Sequence, residues 1–191
     1  MKVQPKLLAA CAVVAAVLTL PACTSSSAHS ASCDFHFTSA NKSGTTIAAD
    51  KRKTCEITGD LINGGTYSLA QDAGKVVVLN FWAAWCAPCQ VETPQFDSMY
   101  RQNKSKGVNF VGIDTKDIKS NAESFIKDHD ITFPIVYDEP GETALALGNL
   151  PVQGMPFSVV IDKQRRVAGV YIGRQSPADL QPVLTALLAE S

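Results

Sequence analysis

The sequence predicts an α/β fold in which a mixed central sheet is flanked by helices. The apolar run Val76-Val77-Val78-Leu79 is typical of a strand buried on both faces. Strand-like and helix-like segments alternate from residue 75 to residue 147, as they do in βαβ units with parallel strands. Two further strand-like segments, 157–161 and 166–172, flank a short turn and predict an antiparallel hairpin. Parallel strands beside an antiparallel hairpin give a mixed sheet.

The other elements are predicted from apolar periodicity and from the turn residues between them. They are strands at 75–82, 108–114 and 134–137 and helices at 88–104, 120–129, 142–147 and 177–190. Ser120-Asn121-Ala122-Glu123 is interpreted as a capping box, and Gly148 as the end of a short helix. Ser176-Pro177 predicts the start of the last helix, although Pro182 requires either a kink or a later start at Asp179.

The composition is that of one globular domain. The 191 residues are 46% apolar, with 18 acidic against 17 basic residues, and this length leaves room for a substantial core. A charge balance near zero argues against a nucleic-acid-binding protein, and a charged fraction of 18% argues against a disordered chain. One charged run, Asp50-Lys51-Arg52-Lys53, predicts a turn or a solvated loop.

Residues 1–22 are predicted to be a signal peptide. Two lysines precede an uncharged stretch, residues 7–20, that is too short to span a bilayer as a mature helix. The segment Leu20-Pro21-Ala22-Cys23 resembles the bacterial lipobox, so we expect Cys23 to be lipidated. Ordinary cleavage nearby and an uncleaved anchor are the alternatives. The predicted location is therefore the extracytoplasmic face of the cell membrane, with the chain held there by a lipid anchor.

The pattern is weak between the signal and the main domain. Residues 23–32 comprise the lipidated cysteine and a tether rich in serine and alanine, which we expect to be flexible. Residues 33–58 form an N-terminal extension, in which Phe35 and Phe37 alternate with polar neighbours like a short strand. The α/β domain is expected to occupy residues 59–191.

The cysteine count predicts two disulfides. Cleavage before the lipidated Cys23 removes Cys11. The cysteines that remain for pairing are Cys33, Cys55, Cys86 and Cys89. In an oxidising compartment we expect Cys33 and Cys55 to form a structural disulfide, which stabilises the fold by about 3 kcal/mol in the chain-entropy estimate. The alternative is two separate thiols.

The segment Trp85-Cys86-Ala87-Pro88-Cys89 follows a buried strand and opens a helix. A helix N-terminus favours an anion, so the first thiol ionises more readily there. The spacing lets both sulfurs meet across one helical turn. We therefore predict a redox-active disulfide in which Cys86 is the attacking thiol and Cys89 the resolving one. A purely structural disulfide is one alternative.

Half of a zinc site is the other alternative use of this cysteine spacing. It requires a second cysteine pair or histidines nearby. The three histidines His29, His36 and His129 have no ligand spacing to the pair. We therefore expect no metal, and nothing in the sequence indicates another cofactor.

The run from Asn80 to Cys89, Asn-Phe-Trp-Ala-Ala-Trp-Cys-Ala-Pro-Cys, resembles the thioredoxin superfamily and, more narrowly, its membrane-tethered TlpA/ResA-type thiol-disulfide oxidoreductases. The similarity covers about residues 59–190 and implies a thioredoxin-like fold. Gly154-Met155-Pro156-Phe157 and Val160-Ile161-Asp162 match two further marks, and Pro94 stands where thioredoxins kink the active-site helix.

The resemblance also assigns residues around the cysteines. In the family a cis-proline faces the active cysteines, which implies a cis bond before Pro156. A substrate segment would then pair with the backbone of Met155 as an added strand. Trp85 is expected to shield the disulfide and to contact substrate, although tryptophans more often serve packing.

Two departures from thioredoxins affect proton transfer. Asn80 stands in place of their buried aspartate, and Phe110 in place of the lysine that faces it. Glu92 lies one turn beyond Cys89, where ResA-type proteins have a glutamate near the cysteines. A carboxyl group in a partly apolar site has a raised pKa and can relay protons near neutral pH. The alternative is an exposed glutamate that only complements the helix dipole.

The function that the resemblance implies is extracytoplasmic thiol-disulfide exchange. In the family the usual direction is reductive, with apocytochrome c as a frequent target and a membrane thiol transporter as electron donor. We expect a monomer that acts on protein thiols and disulfides and binds no nucleic acid. A disulfide-forming oxidase is the alternative, and a copper-binding assembly factor is a remote one. The Thr-x-x-Cys setting of a peroxidase is absent, so antioxidant activity is not expected.

Overall fold

The computed structural model describes residues 30–37, 44–148 and 154–190. Its strands are β1 (Ser30–Cys33), β2 (Thr45–Thr46), β3 (Cys55–Asp60), β4 (Thr66–Ser68), β5 (Val76–Trp82), β6 (Val108–Thr115), β7 (Ile135–Asp138), β8 (Phe157–Ile161) and β9 (Val167–Ile172). Its α-helices are α1 (Ala87–Asn103), α2 (Lys119–Asp128), α3 (Glu142–Ala146) and α4 (Pro177–Ala189). The predicted signal peptide and Cys23 lie outside these residues.

The central sheet has six strands in the order β2-β9-β8-β5-β6-β7. The three strands β5, β6 and β7 are parallel, and α1 and α2 form the connections that parallel strands require. Strand β8 is antiparallel to β5, β9 to β8, and β2 to β9. The predicted mixed sheet with flanking helices is confirmed.

Strand β5 lies in the middle of the sheet and is buried along its whole length. Its side chains alternate between the two faces, as strand geometry dictates. Val78 and Trp82 join an apolar cluster shared with α1 and α4, whereas Leu79 and Phe81 join the cluster on the opposite face. Asn80 points to the same face of the sheet as Val78 and Trp82, so its amide group is buried on the side of α1.

A separate antiparallel sheet contains β1, β3 and β4. Its first strand includes residues 30–32, which were predicted to belong to the flexible tether. The predicted strand at Phe35 and Phe37 is wrong, because both residues follow β1, and Phe35 is instead buried in the core. Serine and alanine have little strand preference, so the pairing with β3 decides the structure of this segment. The short β2 joins the extension to the central sheet.

Arg52 contradicts the prediction of a solvated charged run. Its side chain is buried, and its Nη1 atom lies 3.2 Å from Asp162 Oδ2. The same guanidinium donates to both carboxylate oxygens of Glu190, at 2.5 and 2.8 Å. These bonds, that to Glu190 first, raise the pKa of Arg52. Both partners are more than a hundred residues away in sequence, so no local pattern indicates this cluster.

The start of α2 differs from the prediction, and the start of α4 decides between the two predicted alternatives. The capping box at Ser120 is wrong, because α2 begins at Lys119 and the Asp117 carboxylate accepts the amide of Ile118 instead. The last helix begins at Pro177 and runs through Pro182. The Ser176 amide and hydroxyl both donate to Asp179, which secures this earlier start.

Candidate active site

The cysteine pair lies where β5 passes into α1. Strand β5 ends at Trp82, and Cys86 is the N-cap residue of α1. The Cys86 amide donates to Ala83 O at 3.1 Å, which closes the turn before the helix. Pro88 has no amide hydrogen, so the amides of Ala87 and Cys89 are the donors that the first helical turn offers to a sulfur anion. This is the setting in which a thiolate is stabilised.

The two sulfurs are bonded, with 5.2 Å between the Cα atoms of Cys86 and Cys89. Cys86 retains 4% exposure, whereas Cys89 is fully buried. Both belong to the apolar cluster on the α1 side of the sheet. An incoming sulfur atom therefore reaches Cys86 before Cys89.

Trp85 covers the turn and remains 59% exposed. Its indole Nε1 donates to the carbonyl of Lys116 at 2.8 Å, which ties the ring to the loop after β6. The same loop fixes the backbone of the turn, because Asp117 Oδ2 accepts the amide of Ala84. The sequence reasoning did not identify Asp117 as part of the site. Its place just beyond the end of a strand next to the cysteine strand was the available signal.

Glu92 is fully buried on α1, one turn beyond Cys89. Its Oε2 accepts a hydrogen bond from Asn80 Nδ2 at 2.8 Å, and its Oε1 accepts the amide of Gln175 at 2.5 Å. Burial raises the pKa of Glu92 to about 7, against the lowering effects of those two donors and of the charge of Arg174. The alternative of an exposed glutamate is therefore wrong, and the carboxyl group can gain or lose a proton near neutral pH.

Asn80 connects Glu92 to the neighbouring strand. Besides Glu92, its amide group donates to Ser158 Oγ on β8 at 3.3 Å. Phe110 is fully buried and packs against Phe96 of α1, with 5.6 Å between ring centroids. Where thioredoxins have a lysine, this chain thus has an apolar side chain, Phe110, that packs in the core.

Met155 and Pro156 immediately precede β8. The peptide bond between them is cis, and Pro156 is buried while Met155 is half-buried. Met155 packs against the apolar cluster that contains both active-site cysteines. The Pro156 carbonyl accepts the amide of Gly173 at 2.8 Å, which ties this segment to the end of β9.

Cys33 and Cys55 are also bonded, with 4.1 Å between their Cα atoms. They are directly opposite each other in the antiparallel pair of β1 and β3. Cys55 is fully buried, and its amide donates to the carbonyl of Arg165 at 2.9 Å.

Within residues 30–37, 44–148 and 154–190, no group of three or more His, Cys, Asp or Glu side chains is arranged to hold a metal ion. In the same part of the chain, none of the helices has both the length and the apolar character needed to cross a membrane.

Comparison with known proteins shows which family this chain resembles. A sequence profile of the AhpC/TSA family matches residues 36–171. The thiol-disulfide oxidoreductase ResA of Bacillus thuringiensis subsp. konkukian is 33% identical over 123 residues, which cover 64% of this chain and 69% of that protein. ResA of Geobacillus thermodenitrificans is 31% identical over 126 residues, which cover 66% of this chain and 71% of that protein.

Solved structures are similar over a larger share of the chain. A DsbF homologue from Corynebacterium diphtheriae has a TM-score of 0.75 and 35% identity, covering 80% of this chain and 99% of that one. A secreted thiol-disulfide isomerase from Corynebacterium glutamicum has a TM-score of 0.77 and 29% identity, covering 83% and 99%. The expected fold and the resemblance to thiol-disulfide oxidoreductases are confirmed.

Proposed function

The chain belongs to the AhpC/TSA family and is a thiol-disulfide oxidoreductase of the ResA and DsbF type, and from that premise we propose that it reduces disulfides in exported proteins. What supports this direction is the similarity to ResA-type proteins, since the usual direction in the family that the sequence resembles is reductive. The buried Glu92, with a pKa of about 7, can take up and release the protons that exchange requires.

The proposed reaction proceeds in two exchanges. The Cys86 thiolate attacks one sulfur of a substrate disulfide, whose S–S bond breaks as the new mixed disulfide forms. The released substrate thiolate takes up a proton. Cys89 then gives its proton to the Glu92 carboxylate and attacks the Cys86 sulfur, which releases the second substrate thiolate. This thiolate is protonated in turn, and Glu92 gives up the proton that it took from Cys89. The substrate gains two electrons and two protons, and the enzyme is left with the Cys86–Cys89 disulfide.

The substrate is proposed to bind along Trp85 and the segment Met155-Pro156. Trp85 offers an exposed aromatic face next to Cys86. Met155 lies half-buried against the same apolar cluster as the cysteines. An extended peptide can pair with the backbone at Met155 while an apolar side chain contacts Trp85. Both features suit unfolded or extended cysteine segments.

The proposed location and electron supply rest on the predicted N-terminal signal and on the resemblance to the family. The predicted signal peptide and the lipidation of Cys23 would hold the domain beside the membrane. A membrane thiol donor would then return electrons to the Cys86–Cys89 pair. Apocytochrome c, a frequent target in the family that the sequence resembles, is the substrate class that we propose, with a monomer as the working form.

A disulfide-forming oxidase is the second candidate function. The intervening Ala87-Pro88 dipeptide does not set the sign of the reaction, and the Corynebacterium diphtheriae structure is of a DsbF homologue. The two directions differ in the reduction potential of the couple, and 30 mV corresponds to about 1.4 kcal/mol. A copper-binding role remains remote, since three intervening residues and a nearby histidine would be expected.

Trapping of mixed disulfides tests the proposal. In cells that produce Cys89→Ala, Cys86 should form stable mixed disulfides with exported proteins that contain cysteine pairs. A Cys86→Ala/Cys89→Ala variant is the matched control. Adducts identified by mass spectrometry should disappear in the control. Adducts that persist there, through Cys33 or Cys55, would contradict the assignment of the site.

A further inference from the structure

A second buried acid, Asp114, lies next to the cysteine turn and has no role in the steps above. It is the penultimate residue of β6, and its backbone is opposite Trp82 in the parallel register of β5 and β6. The side chain is fully buried, and neither of its carboxyl oxygens receives a hydrogen bond from the donor groups of the described residues. A buried carboxylate without donors is very costly, so the neutral acid is favoured.

The charged groups around Asp114 favour the neutral acid further. The Asp117 carboxyl group lies within hydrogen-bonding reach of it, and Asp138 at the end of β7 adds a second negative charge. The Asp138 carboxylate accepts the amides at the start of α3, at 2.9 to 3.1 Å. Tyr137 is the direct register partner of Asp114 on β7.

The nearby lysines do not compensate this negative charge. Lys116 Nζ donates to the Pro140 carbonyl, and Lys119 Nζ lies 6.0 Å above the Tyr137 ring. Burial first, and the charges of Asp117 and Asp138 after it, raise the pKa of Asp114 to about 8. Asp114 therefore carries a proton at neutral pH.

Asp117 connects this acid to the catalytic turn. One of its oxygens accepts the Ala84 amide at 2.5 Å, two residues before Cys86. The other accepts the Ile118 amide at 2.7 Å, at the start of α2. Asp117 thus uses both oxygens as acceptors, and each has a further lone pair that can accept a bond from a neutral acid.

We propose that Asp114 is a positioning residue: its carboxyl group keeps a proton and donates it to the Asp117 carboxylate, which thereby stays bound to the Ala84 amide. The turn that presents Cys86 is then held by an acid–carboxylate pair. The effect on exchange rests on the proposed function, whereas the shared proton does not.

The pair makes the turn sensitive to alkaline pH. When Asp114 loses its proton, two carboxylates face each other in a buried site and repel. Asp117 then moves away, and its bond to Ala84 weakens. The sign for stability follows by linkage: the folded state holds this proton between about pH 4 and about pH 8 and the unfolded state does not, so this acid makes the fold less stable as pH rises across that range.

Tryptophan fluorescence of the oxidised protein tests the shared proton. The chain has two tryptophans, Trp82 and Trp85, and both flank the turn. Oxidised cysteines do not titrate, so they add no transition of their own. The fluorescence should change with a midpoint near pH 8, where Asp114 loses its proton. The change should vanish in Asp114→Asn, whose amide still donates to Asp117 but does not ionise. It should persist in Glu92→Gln and in the exposed control Asp128→Asn.

Thermal unfolding gives an independent reading of the same proton. The Tm of Asp114→Asn minus that of the unmodified protein should grow from pH 5 to pH 8 and then level off. Two results together would overturn the proposal. One is a difference in Tm that stays constant with pH. The other is a fluorescence transition that survives in Asp114→Asn or is absent from the unmodified protein.

Exchange rates separate this proposal from the proposed function. The rate of Asp114→Asn relative to the unmodified protein should rise severalfold from pH 7 to pH 9. Asp114→Leu, which cannot donate, should be slow at every pH. An exchange rate at background in the unmodified protein, with the titration of Asp114 intact, would reject the proposed function alone. A pH-independent ratio with an active enzyme would reject the positioning role.

Discussion

The described residues contain two disulfides in contrasting surroundings. Cys86 and Cys89 are three residues apart at the start of a helix, whereas Cys33 and Cys55 are 22 apart and join two antiparallel strands. Cys33 is more exposed than Cys86, which retains only 4% exposure. Access alone would therefore favour Cys33–Cys55, so the reactivity that we propose for Cys86 must come from what surrounds the sulfur atoms.

The surroundings differ in the charge that they favour. Cys86 is the N-cap residue of α1, and the unpaired amides at a helix N-terminus favour a thiolate. Cys33 and Cys55 are each followed by an acid, Asp34 and Glu56, which disfavours a second negative charge. The amide of Cys55 is also occupied by the carbonyl of Arg165. The same covalent bond is thus predicted to be reactive in one place and structural in the other.

The largest expected effect is that of Cys86→Ser on thiol exchange. Without the attacking thiolate, the rate should fall to the uncatalysed background, measured as reduction of a disulfide-containing protein substrate. Cys33→Ser/Cys55→Ser is the matched control and should remain active. A substantial exchange rate in Cys86→Ser would contradict the claim that Cys86–Cys89 is the reactive disulfide and Cys33–Cys55 the structural one.

Glu92→Gln should have the next largest effect. Loss of a general base typically costs about 10²-fold or more, and the pKa of about 7 means that the rate of the unmodified protein rises with pH up to that value. The variant should lose this rise in rate. Because the ionisation of Glu92 lowers the free energy of unfolding, the variant should also be the more stable protein above pH 7. The exposed Glu123→Gln should behave like the unmodified protein. An unchanged pH–rate profile in Glu92→Gln would refute the proton relay.

Alkylation sharpens the comparison within the active pair. In the reduced protein at neutral pH, iodoacetamide should label Cys86 at least about tenfold faster than Cys89, because the N-cap sulfur is the better thiolate and Cys89 is buried. Mass spectrometry of quenched samples gives the order. Faster labelling of Cys89 would reverse the assignment of attacking and resolving thiols.

The smallest expected effect on exchange is that of Cys33→Ser/Cys55→Ser. The rate should change little, but the free energy of unfolding should fall by about 3 kcal/mol, or roughly 6–12 °C in Tm. Thermal unfolding followed by circular dichroism measures the shift. An inactive variant that is still folded would show that this disulfide takes part in catalysis.

The sequence was sufficient wherever the signal was local. The apolar run of β5 and the adjacent cysteine pair predicted the strand, the turn and the start of α1, because each depends on neighbouring residues. Glu92 was placed near the cysteines for the same reason, since one helical turn separates it from Cys89.

The structure was needed wherever partners are distant in sequence. Arg52 is one of four consecutive charged residues, and only the fold places Asp162 and Glu190 against it. At the start of α2, the Asp117 carboxylate accepts the Ile118 amide, where a capping box at Ser120 was predicted. The same carboxylate accepts the amide of Ala84, which is 33 residues away in sequence. Asp114 gave no signal at all, because a strand-end aspartate is ordinarily solvated. Tertiary packing decided these three positions.

The reduction potential of the Cys86–Cys89 couple tests the central claim most directly. It can be measured in Cys33→Ser/Cys55→Ser, which lacks the other disulfide of the described residues, by equilibration with thiol buffers of known potential. A reductant should have a potential near that of thioredoxin, about −270 mV, and fresh cells should then hold both cysteines mostly as thiols. A potential near about −120 mV, typical of a strong disulfide-forming oxidant, would contradict the proposed direction.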